Sequence, residues 1–194
     1  MAYSWVSICN MALIRLGAKE ITALTDVGNG VLCANHYEAA RDEVLEANGG
    51  GNWHGWKDAT MRDTLTPSAT APEYGYDYQY TLPAAPYCLK VISVEGNPPY
   101  KIEGRSLLTD QDTEIEITYI YRITDPTNIS PWLARAIAMN LAAKLTYKLV
   151  QDRFFKNEII QEAEATLIKA MGKDAMGSGN IAPSDDTDFS WVNR

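Results

Sequence analysis

Apolar residues at helical spacing predict two helices in the first quarter of the chain. Between residues 4 and 16 they recur every three or four positions, with Ser4 placed to cap the first turn and Gly17 placed to end the helix. A second helix is predicted over 30–47, where charged residues fall on the face opposite the apolar one. The glycines at 49–51 end this helix.

The pattern changes to short alternating runs in the middle of the chain. Alternation of apolar and polar residues is typical of half-buried strands, and prolines, glycines and asparagines separate the runs. Strands are predicted at 57–65, 76–82, 88–95, 100–103, 105–109 and 114–121. Because the connections are too short to hold crossover helices, the strands are expected to pair antiparallel.

Helical spacing returns after Ser130, a residue suited to cap a helix whose first position is Pro131. The third helix is predicted from there to Leu149, with a broad apolar face, and the fourth over 153–171. Glutamates lie in the first half of the fourth helix and lysines at its end, an order that suits the helix dipole. From Gly177 onward Gly, Ser, Pro and Asp predominate, and no element is predicted.

Together these elements predict an α+β fold in four segments. Residues 1–51 and 129–176 each contribute two helices to an antiparallel helical bundle core. Residues 52–128 form an inserted antiparallel β-sheet module, and residues 177–194 form an extended C-terminal tail. The two helical halves are expected to pack together, because each has an apolar face that needs covering.

The chain is acidic. Its 194 residues include 17 Lys and Arg against 25 Asp and Glu, which gives a formal net charge of −8. Tight binding of nucleic acid needs clustered Lys and Arg to replace phosphate counterions, so a protein that clamps DNA or RNA is not indicated. The hydrophobic fraction of 46% and the charged fraction of 22% are ordinary for a globular protein and argue against disorder throughout the chain.

Three cysteines, Cys9, Cys33 and Cys88, lack the number and spacing of a disulfide framework or a zinc ribbon. Cys9 and Cys33 fall on predicted apolar helix faces and are expected to be buried free thiols, which fits assembly in a reducing compartment. The N-terminal segment has no basic region, and polar residues interrupt its apolar run. Neither a signal peptide nor a membrane span is therefore predicted.

Motifs for catalysis, cofactors or metals do not emerge from the sequence. The glycine-rich stretch 49–56 lacks the Lys-Ser/Thr of a phosphate-binding loop and follows a helix, so it is interpreted as a hinge. His36 and His54 have no metal-binding or nucleophile motif beside them. The three aspartates of the tail lack the glycine and glutamate of a calcium loop. We therefore predict no catalytic, cofactor-binding or metal-binding residues and no enzyme activity.

The candidate interaction residues are aromatic. Four tyrosines alternate in the middle of the chain: Tyr74, Tyr76, Tyr78 and Tyr80. A strand through them would place all four on one face, and this pattern favours a subunit contact over base stacking because no Lys or Arg interleaves it. In the tail, Phe189 and Trp191 follow an acidic stretch. They are interpreted as an anchor that orders on a partner, with a floppy chain end as the alternative.

Three further stretches carry a resemblance to a known protein family. The first is NMALIRLG at 10–17, followed by Ile21, Leu24 and Asp26. The second is the pair Trp53 and Trp56, and the third is Arg153-Phe154-Phe155 before a Glu-rich helix. In these stretches the chain resembles the head-to-tail adaptors of short-tailed bacteriophages, the tail tubular protein A family. They are similar to that family's first helix with its glycine stop and following loop, its tryptophan after the second helix, and the start of its last helix. The β-sheet module matches in placement only.

The resemblance implies a structural protein of the virion, located at the neck or tail and assembled in the host cytoplasm. Such adaptors form a ring, usually of twelve subunits, that binds the portal protein on one side and the tail nozzle protein on the other. Genomic DNA passes through the ring transiently, without specific binding, and no membrane is involved. Acidic side chains are then expected to outnumber basic ones on the channel wall, because negative charge repels passing DNA.

The residues are also compatible with two other functions. The first is a virion-associated glycan hydrolase, or an adaptor with that side activity, because glycoside hydrolysis needs two placed carboxyl groups. Among 25 acids, pairs such as Glu114 with Glu116 and Glu162 with Glu164 arise by coincidence, and Glu114 and Glu116 are interpreted first as the solvent face of a strand. The second is a host-encoded sugar-binding module that uses the tyrosines at 74–80. Release of glycan fragments would favour the first function, and glycan binding without release would favour the second.

Overall fold

The computed structural model describes residues 2–47 and 55–177. Within them the chain has an α+β fold, with two helices before six strands and two helices after. The helices are α1 (Trp5–Arg15), α2 (Asn29–Glu46), α3 (Pro131–Leu149) and α4 (Arg153–Gly177). The strands are β1 (Thr60–Leu65), β2 (Tyr78–Thr81), β3 (Cys88–Val94), β4 (Tyr100–Glu103), β5 (Ser106–Thr109) and β6 (Ile115–Tyr121). Each predicted helix and strand is confirmed, although α4 continues past its predicted end at Met171.

The strands form two three-stranded sheets, and the predicted antiparallel pairing is confirmed. Sheet A has the order β1-β6-β3, and sheet B has the order β2-β5-β4. In sheet A, Thr60 pairs with Ile120 and Leu65 with Ile115, while β3 pairs with the other side of β6 through two irregularities in register. The division of one β module into two sheets depends on which strands pair, and the alternation within each strand does not carry that information.

Sheet A is the middle layer of the molecule. Ile120 of β6 is buried among helical residues, whereas Ile117 and Tyr119 of the same strand are buried with residues of sheet B. Successive side chains of a strand point to opposite faces, so one strand contributes to two apolar cores. The described chain therefore has three layers: the helices, sheet A and sheet B.

Helix α3 lies at the centre of the helical layer and contacts α1, α2 and α4. Its start is fixed as predicted, with Pro131 in its first turn and the Ser130 hydroxyl accepting a hydrogen bond from the Leu133 N–H at 3.4 Å. The two helical halves also meet through polar contacts. Asn140 of α3 donates to the backbone carbonyl of Ala40 in α2 at 2.9 Å.

The chain is tightly packed at Gly55 and Trp56, just before the strands begin. Gly55 has a φ of +99°, and a Cβ at this position would lie 2.5 Å from Cδ1 of Ile120, so only glycine fits. Trp56 is fully buried, and its indole N–H donates to the Val44 carbonyl of α2 at 2.7 Å. The end of the predicted hinge is thus a fixed contact, while its glycines at 49–51 lie outside the described residues.

Candidate interaction surfaces

The four tyrosines do not form one exposed stripe, and the prediction is wrong in this respect. Strand β2 begins at Tyr78, so Tyr74 and Tyr76 precede it. Tyr78 and Tyr80 do share a face, but that face points into the core between the sheets. Tyr80 is fully buried, and its hydroxyl lies 2.7 Å from two backbone carbonyl oxygens within 111–113. Tyr80 therefore stabilises its own chain and offers no surface to a partner.

The other tyrosines keep their predicted interaction role as a hypothesis. Tyr74 is exposed, Tyr76 is half-buried, and both lie near Lys101 of β4. The pKa of Lys101 is raised, first by the hydrogen bond that its ammonium donates to Glu103 and further by these two tyrosines. This end of sheet B thus presents aromatic rings beside an ion pair, a mixture that is common at the rim of protein interfaces.

Several predicted residues lie outside the described part of the chain: Phe189 and Trp191 of the tail, and Trp53 and His54 of the glycine-rich stretch. The anchor role of the two tail aromatics therefore stays a prediction. The other histidine, His36, is half-buried on α2. Within residues 2–47 and 55–177, no group of three or more His, Cys, Asp or Glu is placed to hold a metal ion.

All three cysteines are buried free thiols, as expected for Cys9 and Cys33. Cys9 of α1 and Cys33 of α2 are hydrogen-bonded neighbours, and this bond together with burial raises the pKa of Cys9 far above its ordinary range. Burial also raises the pKa of Cys88, with Arg105 acting in the opposite direction. Cys9 and Cys88 are thus kept protonated at neutral pH and act as packing residues.

Residues that resemble the adaptor family's first helix and loop have local structural roles here. The Asn10 side chain donates to the Ile21 carbonyl at 2.9 Å and accepts from the Ile21 N–H at 2.8 Å. The Asp26 carboxylate accepts from the N–H groups of Ala23 at 3.0 Å and Thr22 at 2.7 Å, and these bonds lower its pKa. Together the two side chains fix the loop between α1 and α2.

Helix α4 has apolar side chains on two opposite faces. Its inner face includes Ile159 and Ala163, which are buried against the rest of the helical layer. On the opposite face Phe154, Ile168 and Met176 are 87%, 71% and 80% exposed. These three residues are called the outer stripe of α4. An apolar face flanked by Ile168 is the interpretation that the sequence favours, and it is wrong at this residue: Ile168 follows Ile159 by nine residues, which is half a turn around the helix axis, so it meets solvent.

A further exposed aromatic side chain lies at the corner between α3 and α4. Tyr147 of α3 is 77% exposed, and the Lys156 ammonium lies 5.9 Å from the centroid of its ring. On the inner side, the Arg15 guanidinium of α1 lies 2.6 Å from a carboxylate oxygen of Glu162 and 5.5 Å from the ring centroid of Phe155. In the Arg-Phe-Phe stretch, the second phenylalanine therefore packs inward, while the first is exposed.

One of the two predicted carboxylate pairs borders a pocket. Glu114 and Glu116, together with Glu95, line a shallow pocket of about 370 Å³ at one end of sheet A. In the other pair, Glu162 is bound by Arg15 on the body of the helical layer, whereas Glu164 is exposed. Glu162 also lines a pocket, of about 380 Å³, but Glu164 is not among its lining residues. Of the two pairs, Glu114 and Glu116 therefore lie together at one cavity of the described residues, where a ligand has room between or above the carboxylates.

The structure also brings together cations that the sequence does not single out. The ring of Tyr87 lies between the guanidinium groups of Arg105 and Arg122, at 4.1 Å and 4.5 Å from its centroid. Arg105 is held by backbone carbonyl groups within 82–88, including one at 2.6 Å. Arg122 forms an ion pair with Asp42 of α2 at 2.8 Å. Tyr87, Arg105 and Arg122 are called the Arg–Tyr–Arg cluster.

A pocket of about 370 Å³ opens beside the Arg–Tyr–Arg cluster, where the two sheets meet the end of α2. Its lining also includes Lys90 of β3 and Glu46, which is the last residue of α2. Apolar side chains such as Leu82 and Ile102 complete the lining. The residues of the cluster come from three separate connections: Tyr87 lies between β2 and β3, Arg105 between β4 and β5, and Arg122 between β6 and α3. Each is an ordinary loop residue when it is seen in sequence, so periodicity and motif patterns cannot predict that they meet.

Comparisons with known proteins identify no relative of this chain: no known family model matches it, and no curated protein matches it. None of the helices in the described ranges is long and apolar enough to cross a membrane. The candidate interaction surfaces are thus the outer stripe of α4, the pocket lined by Glu114 and Glu116, and the pocket beside the Arg–Tyr–Arg cluster.

Proposed function

We propose that the chain is a structural subunit of a phage connector, a head-to-tail adaptor ring that joins the portal protein to the tail nozzle protein. The observation that carries the proposal is the outer stripe of α4. Large apolar side chains left in water along one helix face are typical of a surface that another protein covers. A neighbouring copy in a ring would cover this face, and the resemblance in sequence suggests a ring of twelve.

The remaining architecture suits the same role. The four helices, with α3 in contact with the other three, would act as an antiparallel helical bundle core and give each subunit a rigid wedge. Sheet B lies on the far side of sheet A from the helices and offers a second docking surface near Tyr74 and Tyr76. In the assembled ring, Phe189 and Trp191 would anchor the tail on a neighbouring subunit or the portal.

The charge of the chain suits a channel for DNA. A net charge of −8 disfavours adhesion of a passing polyanion, so genomic DNA would move through the ring without specific binding. We therefore expect acidic side chains to exceed basic ones on the channel wall of the assembled ring. Assembly would take place in the host cytoplasm, and the finished ring would lie at the neck of the virion.

Assembly of the purified chain, alone and with portal protein, tests the proposal by size-exclusion chromatography with light scattering. The double variant Phe154→Ser, Ile168→Ser is expected to stay folded and to lose ring or portal assembly, because exposed side chains contribute little to the core. Glu164→Ser, on the same helix and also exposed, is the matched control and should assemble like the wild type. A monomer under both conditions, or full assembly of the double variant, contradicts the proposal.

Deletion of residues 178–194 tests the role of the tail separately. The composition of this segment predicts no helix or strand, so the shortened chain is expected to fold. Its assembly with itself or the portal should weaken, because two large aromatic side chains are lost from the interface. Unchanged assembly on the same column would remove the anchor role from Phe189 and Trp191 while leaving the connector proposal in place.

Glycan hydrolysis is a second candidate, favoured by the pocket that Glu114 and Glu116 line together with Glu95. Purified protein would be incubated with peptidoglycan or capsular glycan, and released fragments would be measured. Hydrolysis by this pocket predicts release that Glu114→Gln or Glu116→Gln abolishes and Glu164→Gln does not. Absence of release from both glycans would discard this candidate.

A further inference from the structure

The pocket beside the Arg–Tyr–Arg cluster is cationic, although the protein as a whole is acidic. Its wall contains three basic side chains, those of Lys90, Arg105 and Arg122. Among the described lining residues, one acidic side chain, that of Glu46, accompanies them. Cations held partly out of water are stabilised by a nearby anion, since charge pairing offsets their lost hydration. The lining therefore favours a ligand that carries carboxylates.

Arg122 has a hydrogen-bond donor to spare. Its terminal nitrogen lies 2.8 Å from Asp42, and that carboxylate is shared with Arg41, whose Nε is also 2.8 Å away. The Nε–H of Arg122 is buried and meets no acceptor in the part of the chain that the structure describes. A buried donor without an acceptor is unfavourable, and 36% of the Arg122 side chain is exposed, so the same guanidinium group can receive an incoming carboxylate oxygen.

The same pocket has an apolar wall. Leu82, Leu89 and Val91 line it, and Ile102 and Tyr87 are partly exposed there. A small inorganic anion would pair with the arginines but leave this wall in water. A ligand that matches the whole pocket has to present carboxylates and a large apolar group side by side, as an acidic–aromatic peptide does.

We propose that this pocket binds an acidic–aromatic peptide segment and that, in the free chain, its occupant is residues 185–191 of the same molecule. That segment reads DDTDFSW and places three carboxylates directly before two aromatic side chains. The aspartates pair with Arg122 and its neighbouring cations, and Phe189 covers the apolar wall. The inference concerns the chain before any partner is present, so it does not depend on the proposed function.

A series of contacts links the end of α4 to the residue that precedes Arg122. A Cβ on Gly177 would be 2.9 Å from Nζ of Lys57, which immediately precedes Asp58. The carbonyl of Asp58 accepts a hydrogen bond at 3.2 Å from Tyr121, the neighbour of Arg122 along the chain. The seven residues between Gly177 and the acidic segment span up to about 24 Å when extended. Attachment to the same chain also gives the segment a high effective concentration at the pocket.

Photocrosslinking in the full chain tests the occupant directly. Phe189→p-benzoylphenylalanine is irradiated, and crosslinked peptides are mapped by mass spectrometry. Crosslinks to 82–91 or 102–105 are expected. A mixture of ¹⁵N-labelled and unlabelled chains distinguishes contacts within one molecule from contacts between molecules. Val27→p-benzoylphenylalanine, at a position 99% exposed on the loop between α1 and α2, is the control and should not mark these segments.

A charge-removal series tests the chemistry. In the Phe189→p-benzoylphenylalanine chain, the further substitutions Asp185→Asn, Asp186→Asn and Asp188→Asn are introduced together. They should lower the yield of crosslinks to 82–91 and 102–105 about tenfold, because three charge pairs are lost. The matched control replaces the neutral neighbours Ser184, Thr187 and Ser190 by Asn and should leave the yield unchanged. All six positions belong to the segment for which the sequence predicts no helix or strand, so the body is expected to fold as in the wild type.

The pocket side is tested with Arg122→Gln in the crosslinking chain. This variant should also lower the yield, with circular dichroism showing that the chain remains folded despite the lost ion pair with Asp42. Crosslinks that join different molecules, that map to other segments or that are absent overturn the inference. So does a yield that does not respond to removal of the three aspartate charges.

Discussion

Two partly or fully buried polar residues fix connections that the apolar pattern leaves undefined. Asn10 uses both ends of its amide to hold Ile21, so the loop after α1 is bound to the helix. Asp174 near the end of α4 is only 3% exposed and accepts a hydrogen bond from the Lys57 N–H at 3.1 Å. Its other carboxylate oxygen is buried without a partner in the described chain, and burial raises its pKa.

Asn10→Ala is expected to lower the free energy of unfolding by about 1–3 kcal/mol, because the N–H and carbonyl of Ile21 lose their partners. Urea denaturation followed by circular dichroism measures the change. Asn157→Ala, at an exposed position on α4, is the matched control and should stay within about 0.5 kcal/mol of the wild type. Equal effects of the two substitutions would show that the Asn10 bonds do not stabilise the loop.

Asp174→Asn is expected to gain stability relative to the wild type as the pH rises. The pKa of Asp174 is raised above its usual 3.8, so the folded chain keeps this proton where the unfolded chain has lost it. The wild type therefore loses stability as the pH rises from the usual value through the raised one. Asparagine can still accept from Lys57 and has no charge to bury.

Urea unfolding of both chains between about pH 2 and pH 8 measures this difference through the linkage of protonation to folding. Asp26→Asn supplies the opposite sign, because hydrogen bonds from Ala23 and Thr22 lower the pKa of Asp26. For Asp26 the wild type gains stability as the pH rises from the lowered pKa through the usual value. A pH-independent difference for Asp174→Asn would show that its carboxyl group is not destabilised by burial.

At the scale of elements, α4 has apolar residues on two opposite faces, so apolar character alone does not identify the face that packs against the core. The pattern of α4 predicts its inner face correctly for Ile159 and Ala163, which are buried. It also assigns Ile168 to the edge of that face, although this side chain is 71% exposed. Ile168 follows Ile159 by nine residues, so the helical period itself places it on the side opposite the covered face, and its apolar character alone does not make it a core residue.

Two substitutions in α4 measure this orientation. Ile159→Ala should lower the free energy of unfolding by about 2–5 kcal/mol, because it leaves a cavity in the helical core. Ile168→Ala removes the same atoms from an exposed position and should change it by less than about 0.5 kcal/mol. Chemical denaturation of both variants provides the comparison. Similar losses for the two would place Ile168 in the core and remove the outer stripe.

At the scale of the whole molecule, β6 joins two apolar cores. Ile120 belongs to the core under the helices, and Ile117 and Tyr119 belong to the core between the sheets. Three of the five tryptophans, Trp5, Trp56 and Trp132, lie in or against the helical core. Since both cores need β6 in place, we expect the helices and sheets to unfold as one cooperative unit.

Ile117→Ala tests this coupling between the layers. The substitution opens a cavity between the sheets, and we expect the unfolding transition seen by tryptophan fluorescence in the helical core to lose about 2–5 kcal/mol. Glu116→Ala, exposed on the same strand, should leave that transition unchanged. A fluorescence transition that ignores Ile117→Ala would mean that the sheets unfold without the helices.

Periodicity, caps and turn residues in the sequence are sufficient to determine ten helices and strands, their order and the antiparallel pairing. Each of these depends on residues close in sequence, as at Ser130 and Pro131, where a cap and a fixed φ start α3 whatever lies around it. Burial of Cys9 and Cys33 also follows from their place on an apolar face.

Only the tertiary structure decides which apolar faces are covered and which distant loops meet. It turns Tyr80 into the core between the sheets, because that outcome depends on the partner of β2 and not on the pattern of β2 itself. It also brings Arg105 and Arg122 to the two sides of Tyr87. Pairing across long separations creates such sites, and a period of two or 3.6 residues carries no information about it.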